Sequence, residues 1–221
     1  MNLAAELFPA AWLWSAGLIA LAVAVWIART GPWASLRAPI RLNLFLGCGV
    51  MLALVWSLKA GVNPGLDIHL LGAMVVTLVM GPQLGMVSLG LALAGVTLNG
   101  GAEWLAFPIN WLVMAVVPVA VANTYFRLIE RFAPKHFFVF IFVIAFFGSA
   151  ITALAQGVFA STVLWAAGAY TYDFLMAQYL PFFLLLGFSE AWLSGAAVTM
   201  MVVFRPGWVI RFDDQVYLWN K

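Results

Sequence analysis

Long apolar runs, separated by short segments that carry most of the charges, dominate this sequence of 221 residues. Hydrophobic residues make up 66% of the chain and charged residues only 8%, and the mean hydropathy is +1.06. A soluble domain carries about 25% charged residues, and a soluble fold of this length has too little interior to bury so much apolar surface. Lipid must therefore be the main solvent, and residues 1–221 are predicted to form a single integral membrane domain.

The predicted fold class is an all-α, polytopic membrane helix bundle. A hydrocarbon core about 30 Å thick is crossed by roughly 20 apolar helical residues, which divides this chain into about seven spans. The third and fourth spans are short and are separated by the turn Gly81-Pro82-Gln83, so a hairpin that does not fully cross is an alternative for this pair. The expected spans cover residues 10–28, 42–58, 66–81, 84–98, 107–126, 137–165 and 174–204.

The basic residues indicate the orientation of the chain. In a seven-span arrangement all of them except Lys59 fall on one side, which the positive-inside rule assigns to the cytoplasm. The N-terminus is therefore expected outside and the C-terminus inside, in a bacterial inner membrane. The opposite end is rich in acids, which favours a mouth that attracts cations, although loops need polar residues in any case. The basic set is Arg29, Arg37, Arg41, Arg127, Arg131, Lys135, Arg205, Arg211 and Lys221.

Several classes of function are excluded by the residues that are rare or missing. With two histidines and one cysteine in the whole sequence, no zinc, haem or iron–sulfur motif can be assembled. Glycine-rich phosphate loops and a nucleophile elbow are also absent. The basic residues are scattered rather than clustered, which argues against a nucleic-acid partner. We therefore expect neither enzymatic activity nor a bound cofactor.

His69, at the outer end of the third predicted span, is the first candidate for a functional residue. A neutral imidazole is the commonest protein ligand for nickel, cobalt, copper and zinc. Asp67 is two residues away, which on a helix would point it to another side, and it is expected to begin the helix. A purely structural role is the alternative for a lone histidine in this position.

Three further polar residues fall within predicted spans. Glu190 lies well inside the seventh span, where an ionisable group is costly and so marks either a function or a buried anchor. Ser194, one turn further, is a candidate partner for its carboxyl group. Asn110 and Gln156 are buried polar groups that hydrogen bonding between helices would explain. An ion path through Glu190 is the second interpretation.

The segment from Gly65 to Asn123 resembles the CbiM/NikM-type membrane substrate-binding component of cobalt and nickel energy-coupling factor transporters. That family has a His-Leu-x-Gly box, a Gly-Pro turn, a Gly-Gly pair and an Asn-x-x-x-Met-Ala stretch in this order, with a late Glu-Ala element. The matching residues are His69-Leu-Leu-Gly72, Gly81-Pro82, Gly100-Gly101, Asn110 with Met114-Ala115, and Glu190-Ala191 with Arg205-Pro206.

The resemblance implies an ion bound by the N-terminal amine, by the amide and imidazole of a histidine at position two, and by the box histidine. Four nitrogens suit square-planar Ni(II), and related geometries suit Co(II) or Cu(II). Here His69 matches the box and Met1 would supply the amine, but position two is Asn2. Other donors would then be required, and the available acids are Glu6, Asp67 and Glu103.

The sequence therefore supports three hypotheses. The first is a membrane subunit that binds a divalent transition metal ion for uptake, in contact with the lipid bilayer, a transmembrane coupling subunit and ABC ATPases. The second, prompted by Asn2, is a non-transporting scaffold or accessory subunit of another membrane complex, derived from the same family. The third is a carrier for a small organic solute, with some of the eleven tryptophans lining its pocket.

Overall fold

The structure is a computed structural model that describes residues 3–61 and 66–218. Five helical stretches are long and apolar enough to cross a membrane, and the shortest of them has 19 residues, which span about 28 Å. An all-α polytopic membrane protein is thereby confirmed, whereas the number of crossings and the orientation of the termini stay predictions. The five stretches are Ala10–Thr30, Pro39–Ser57, Phe107–Phe132, Val139–Ala166 and Tyr172–Phe204.

The elements follow one another as a chain of helices with one small strand pair. Strands β1 (Ala60–Gly61) and β2 (Asp67–Ile68) pair antiparallel. Segments Leu112–Val116 and Val139–Phe147 are π-helical and continue into the next α-helix. The α-helices are α1 (Ala10–Thr30), α2 (Pro39–Ser57), α3 (Ala73–Met80), α4 (Pro82–Leu98), α5 (Phe107–Trp111), α6 (Val117–Phe132), α7 (Gly148–Ala166), α8 (Tyr172–Gln178), α9 (Leu180–Phe204) and α10 (Asp214–Tyr217).

Prolines account for two of the irregularities. Pro118 lacks the N–H that would bond to the carbonyl of Met114, and the π-helical segment lies directly before it. Pro181 stands in the first turn of α9, where a missing N–H costs nothing. The chain bends just before it at Tyr179, which has φ −124° and ψ −57°. Both breaks therefore have a local chemical cause.

The expectation of a continuous third span over residues 66–81 is wrong. Only Ala73–Met80 is helical. Residues 66–71, called the extended segment below, contain strand β2, with Asp67 in it rather than at a helix start, and have no regular structure after Ile68. Gly72 adopts a left-handed conformation, with φ +70°, where the extended segment meets α3. Apolar composition favoured a helix here, but side chains from distant helices satisfy the main chain and stabilise the extended form.

Helix α3 is the buried centre of the bundle. All of its residues except Val75 are buried. In α1, by contrast, only 17% of an apolar 18-residue stretch is buried. A helix that is apolar on every side belongs in the interior of a protein, and α1 and α2 present their exposed apolar side chains to lipid. Gly81, with φ +81°, ends α3 and turns the chain into α4.

The chain after α9 folds back onto the end of α3. The N–H groups of Ile210 and Arg211 donate to the carbonyl oxygens of Val79 and Leu78 at 3.3 and 3.2 Å. These carbonyls belong to the last turn of α3, which has no later helical residues to satisfy them. The Arg211 guanidinium donates to the side-chain oxygen of Asn123 at 3.2 Å, and burial lowers the pKa of Arg211.

Aromatic packing holds this tail in place. The ring of Phe140 lies 4.9 Å from that of Phe212 and 5.0 Å from that of Tyr217, in edge-to-face geometry. Phe212 and Tyr217 stack on each other at 5.3 Å. Such contacts add about 0.5–1.5 kcal/mol each to the burial of the rings. The tail therefore forms part of the folded body and supports one end of α3.

Candidate functional site

The start of the chain is drawn into the end of the bundle opposite to the tail. Leu3 is 1% exposed. Its N–H donates to the side-chain oxygen of Asn110 at 2.8 Å, and the Asn110 side-chain nitrogen donates to the Leu3 carbonyl at 3.0 Å. Asn110, assigned from sequence to bonding between helices, thus binds the main chain of the N-terminal segment. Met1 and Asn2 lie outside the described residues.

Glu103 provides a second attachment for the same segment. Its carboxylate accepts a hydrogen bond from the N–H of Ala5 at 2.9 Å. Ala5 begins a short 3₁₀ turn that ends at Leu7, so a carboxylate at this end satisfies an N–H group that the turn leaves open. Glu6, in the same turn, is exposed. Of these two candidate acids, one anchors the chain and the other faces outward.

His69 lies in the extended segment, between β2 and α3, and is 6% exposed. Its ring packs against Trp56 of α2, with the ring centroids 4.6 Å apart and the planes tilted by 36°. Nδ1 lies 2.9 Å from the carbonyl oxygen of Leu70. Because a carbonyl can only accept, Nδ1 carries the proton, and a neutral ring then has its lone pair on Nε2. This is the tautomer of a typical histidine metal ligand.

Trp56 also fixes the backbone that follows His69. Its indole N–H donates to the carbonyl oxygen of Leu71 at 3.3 Å, and its side chain is 1% exposed. Nothing in the sequence distinguished Trp56 from the other ten tryptophans. Its role depends on a packing contact between α2 and the extended segment, which hydropathy does not encode.

Glu190, 2% exposed on α9, binds the other side of the same backbone. Its carboxylate accepts hydrogen bonds from the N–H of Leu71 and from the N–H of Gly72, the latter at 3.2 Å to each oxygen. The hydroxyl of Ser194 donates to it at 3.1 Å. These N–H groups stand at the start of α3, where the helix dipole favours a negative charge. Gln156 is buried in α7, which packs along α9.

Asp67 forms an ion pair at the same end of the bundle. Its carboxylate lies 2.6 Å from the ammonium of Lys59, which also donates to the carbonyl oxygen of Gly101 at 3.3 Å. A cavity of about 230 Å³ is lined by these residues together with Leu3, Ala4 and Glu103. The N-terminal segment, Asp67 and Glu103 therefore share one polar cavity, and the described part of the chain places the cationic side chain of Lys59 in it.

The candidate ligands do not form a side-chain metal cluster by themselves. Across residues 3–61 and 66–218, no group of three or more His, Cys, Asp or Glu side chains is placed so that it could hold a metal ion. His69 faces Trp56, Asp67 pairs with Lys59 and Glu103 binds Ala5. His136, the other histidine, is exposed beside Phe138, to whose N–H its Nδ1 is an acceptor.

Comparison with known proteins gives two matches. A family model described as cobalt uptake substrate-specific transmembrane region, CbiM, covers residues 2–208. A crystal structure of a truncated transition metal transporter aligns with a TM-score of 0.76, covering 92% of this chain and 99% of that one. The sequence identity is 17%, so this likeness shows a shared fold alone. No curated protein matches the sequence.

Proposed function

Because this chain belongs to the CbiM family of cobalt uptake substrate-specific transmembrane regions, we propose that it binds a divalent transition metal ion, Co(II), Ni(II) or Cu(II), for uptake. The family is one of transport components and not of enzymes. The resemblance inferred from the His69 box and the Gly81-Pro82 turn is thereby confirmed. The identity of the ion and the energy-coupling factor role belong to the proposal.

The buried imidazole of His69 is the observation that supports this proposal best. Its Nδ1–H is engaged by a carbonyl, so the lone pair lies on Nε2, and its ring is held against Trp56. Borderline metal ions prefer nitrogen donors. A ligand oriented by a hydrogen bond at its other nitrogen is the usual arrangement in metal sites.

The remaining donors are proposed to come from the start of the chain. Leu3 is anchored by Asn110 and lines one cavity with Asp67, which is two residues from His69. We assign the Met1 amine as the second nitrogen donor, in accordance with the family resemblance. Asp67, Glu6 and Glu103 are the alternative donors, and two of them already have partners in the structure, Asp67 with Lys59 and Glu103 with Ala5.

The proposed setting is a bacterial inner membrane with the polar cavity facing outward. The basic residues of the loops support this orientation through the positive-inside rule. The sequence has no Walker motif, so ATP hydrolysis would have to come from associated ABC ATPases, joined through a transmembrane coupling subunit. Co-purification from native membranes with those subunits is the expected result.

The test is a metal titration of the purified protein in lipid nanodiscs. Nickel, cobalt and copper binding is measured by calorimetry for the wild type, His69→Ala and His136→Ala. We expect His69→Ala to weaken binding at least about 10-fold, the usual scale for a lost ligand or its support. His136→Ala, which removes the exposed histidine, should bind as the wild type does. Absence of binding, or equal binding by all three proteins, would contradict the proposal.

Asn2 favours one alternative, a scaffold that no longer transports. An amide side chain is a poor ligand for these metals, and it replaces the histidine that the family resemblance implies. The same titration separates the two functions, because a scaffold binds no ion with or without His69. Co-purification only with another membrane complex would then support it. A bound organic molecule in the bundle, with no metal at His69, would favour a solute carrier.

A further inference from the structure

The two main-chain polar groups of Leu71 are each bound by a side chain of another helix. Trp56 of α2 donates to its carbonyl, and Glu190 of α9 accepts from its N–H. The contact that orients the imidazole is next to Leu71, because Nδ1 of His69 bonds to the carbonyl of Leu70. The position of the His69 ring is therefore set by how this short stretch of main chain is held.

Extended backbone inside a membrane bundle needs partners for its polar groups. Without water, an unpaired N–H in such a place is strongly unfavourable. Glu190 satisfies two N–H groups, those of Leu71 and Gly72. These two N–H groups lie directly before α3, at its N-cap Gly72 and at the residue preceding it, and a glycine has no side chain that could accept a bond there. The tail after α9 binds the last turn of α3, and Glu190 binds the main chain at the opposite end of the same helix.

Within residues 3–61 and 66–218, every hydrogen-bond partner of the Glu190 carboxylate is a donor. Two main-chain N–H groups and the Ser194 hydroxyl converge on its oxygens. It stands at the wall of a cavity of about 380 Å³ that is lined mostly by apolar side chains such as Met51, Leu52 and Val75. In such surroundings charged hydrogen bonds are stronger than in water. A glutamine has one acceptor oxygen and two N–H groups, so it cannot reproduce this arrangement.

We propose that Glu190 is a positioning residue: it caps α3 and thereby places the His69 ring, and it does not bind the metal ion. This inference depends on the proposed metal site. In contrast to the ion-path interpretation of Glu190, it assigns the carboxylate to the N–H groups of Leu71 and Gly72, with the Ser194 hydroxyl as a third donor.

The first experiment needs no metal. Glu190→Gln and the milder Ser194→Ala are purified in nanodiscs, with Ser161→Ala as control. The hydroxyl of Ser161 is buried in α7 with no hydrogen-bond partner among the residues that the structure describes. Hydrogen exchange at the Leu71 and Gly72 amides and the ¹⁵N signals of the His69 ring are measured, with His136 as internal reference. Glu190→Gln should speed that exchange and shift the His69 signals alone, whereas Ser161→Ala should do neither.

The second experiment is a double-mutant cycle on nickel or cobalt affinity. We expect Glu190→Gln to lower affinity about 10-fold or more in the wild-type background and to have no further effect in His69→Ala. Equal losses in both backgrounds would overturn the proposal, because Glu190 would then act independently of His69. An unchanged affinity despite faster exchange would also overturn it.

The two proposals fail in different ways. If the wild type binds no metal, the proposed function fails, and the positioning role is then decided by the His69 signals alone. If the wild type binds metal through His69 but Glu190→Gln leaves those signals and the affinity unchanged, only the positioning role fails. Should Glu190→Gln not fold, Ser194→Ala gives the same comparison with a smaller effect.

Discussion

Asn110 and Leu3 form a reciprocal pair across 107 residues of sequence: each donates one hydrogen bond to the other, at 3.0 and 2.8 Å. Both residues are buried. The side-chain amide of Asn110 pairs with both main-chain polar groups of Leu3, as a neighbouring β-strand would. These two hydrogen bonds attach the N-terminal segment to α5.

Asn110→Leu should release this segment. The substitution keeps the branched shape but leaves the N–H and the carbonyl of Leu3 unpaired, at a cost of about 1–3 kcal/mol for each group. Chemical denaturation in detergent and proteolysis at the N-terminus measure the two effects. Asn99→Leu, at an exposed position after α4, is the control. Equal proteolysis of both variants would argue that the pair contributes nothing.

Gly72→Ala should be more harmful than Gly100→Ala. Both glycines have positive φ, +70° and +74°, so both substitutions strain the backbone by about 1–2 kcal/mol. Only at Gly72 does an added Cβ meet a neighbour, the Cδ2 of Leu52 at 2.5 Å, whereas Gly100 has open space. Thermal unfolding of the two variants isolates the steric part.

A second substitution checks the origin of that difference. Leu52→Ala in the Gly72→Ala background should recover the steric part and leave the backbone strain. The double-mutant cycle compares this with Leu52→Ala alone, which creates a cavity of its own. No recovery would mean that the conformation of Gly72, and not the contact with Leu52, determines the loss.

Trp56→Phe and Trp111→Phe should separate stability from ligand placement. Each removes an indole N–H that bonds to a carbonyl, that of Leu71 or of Met86, at a net cost of about 1 kcal/mol. Only Trp56 touches the segment that carries His69, so only Trp56→Phe should also weaken metal binding. A similar loss of affinity in Trp111→Phe would point to a general effect on the bundle.

Lys59→Met should speed the association of a divalent cation. The ammonium of Lys59 lies in the polar cavity with Asp67, and removing it makes the local field more negative, which raises the on-rate of cations. Because the pair is partly exposed, the loss of stability should stay below about 1 kcal/mol. Stopped-flow measurements at low and high salt, with Lys135→Met from a distant loop as control, test this. Identical rates in the two variants would refute it.

Tyr217→Phe should remove a dependence of stability on alkaline pH. Burial, assisted by Glu130, raises the pKa of Tyr217 from 10.0 to about 12, so the neutral form is favoured in the folded tail. This contribution is complete below about pH 10 and is lost as the pH rises through about 12. The hydroxyl has no hydrogen-bond partner within residues 3–61 and 66–218, so its removal costs little at neutral pH.

Two measurements check this prediction. Absorbance titration near 295 nm, as the difference between wild type and Tyr217→Phe, should give a midpoint near 12 for the missing tyrosine. Thermal unfolding should show a steeper decline for the wild type than for Tyr217→Phe between about pH 10 and 12. Parallel declines would indicate that the hydroxyl ionises without affecting the tail.

The membrane helix bundle could be predicted from the sequence, because the transfer of a helix into lipid depends on the summed hydropathy of its own residues. Spans such as residues 10–28 and 107–126 needed no knowledge of neighbours, and their positions agree with α1 and with the helical stretch Phe107–Phe132. His69 was accessible as well, because histidine is rare in this chain and stands in a motif. Hydropathy failed for residues 66–72, which are apolar enough for a membrane helix but are not helical.

Only the tertiary structure decided which distant groups meet. Glu190 binds main-chain groups 119 and 118 residues away, and Lys59 reaches Gly101 across 42 residues. Such pairings depend on the directions of single N–H and carbonyl groups, which no periodicity of side chains records. The sequence therefore determined that the chain enters the membrane, and it made His69 the first candidate for a metal ligand. Hydrogen bonding between helices determined that the His69 segment stays unwound and where its imidazole is held.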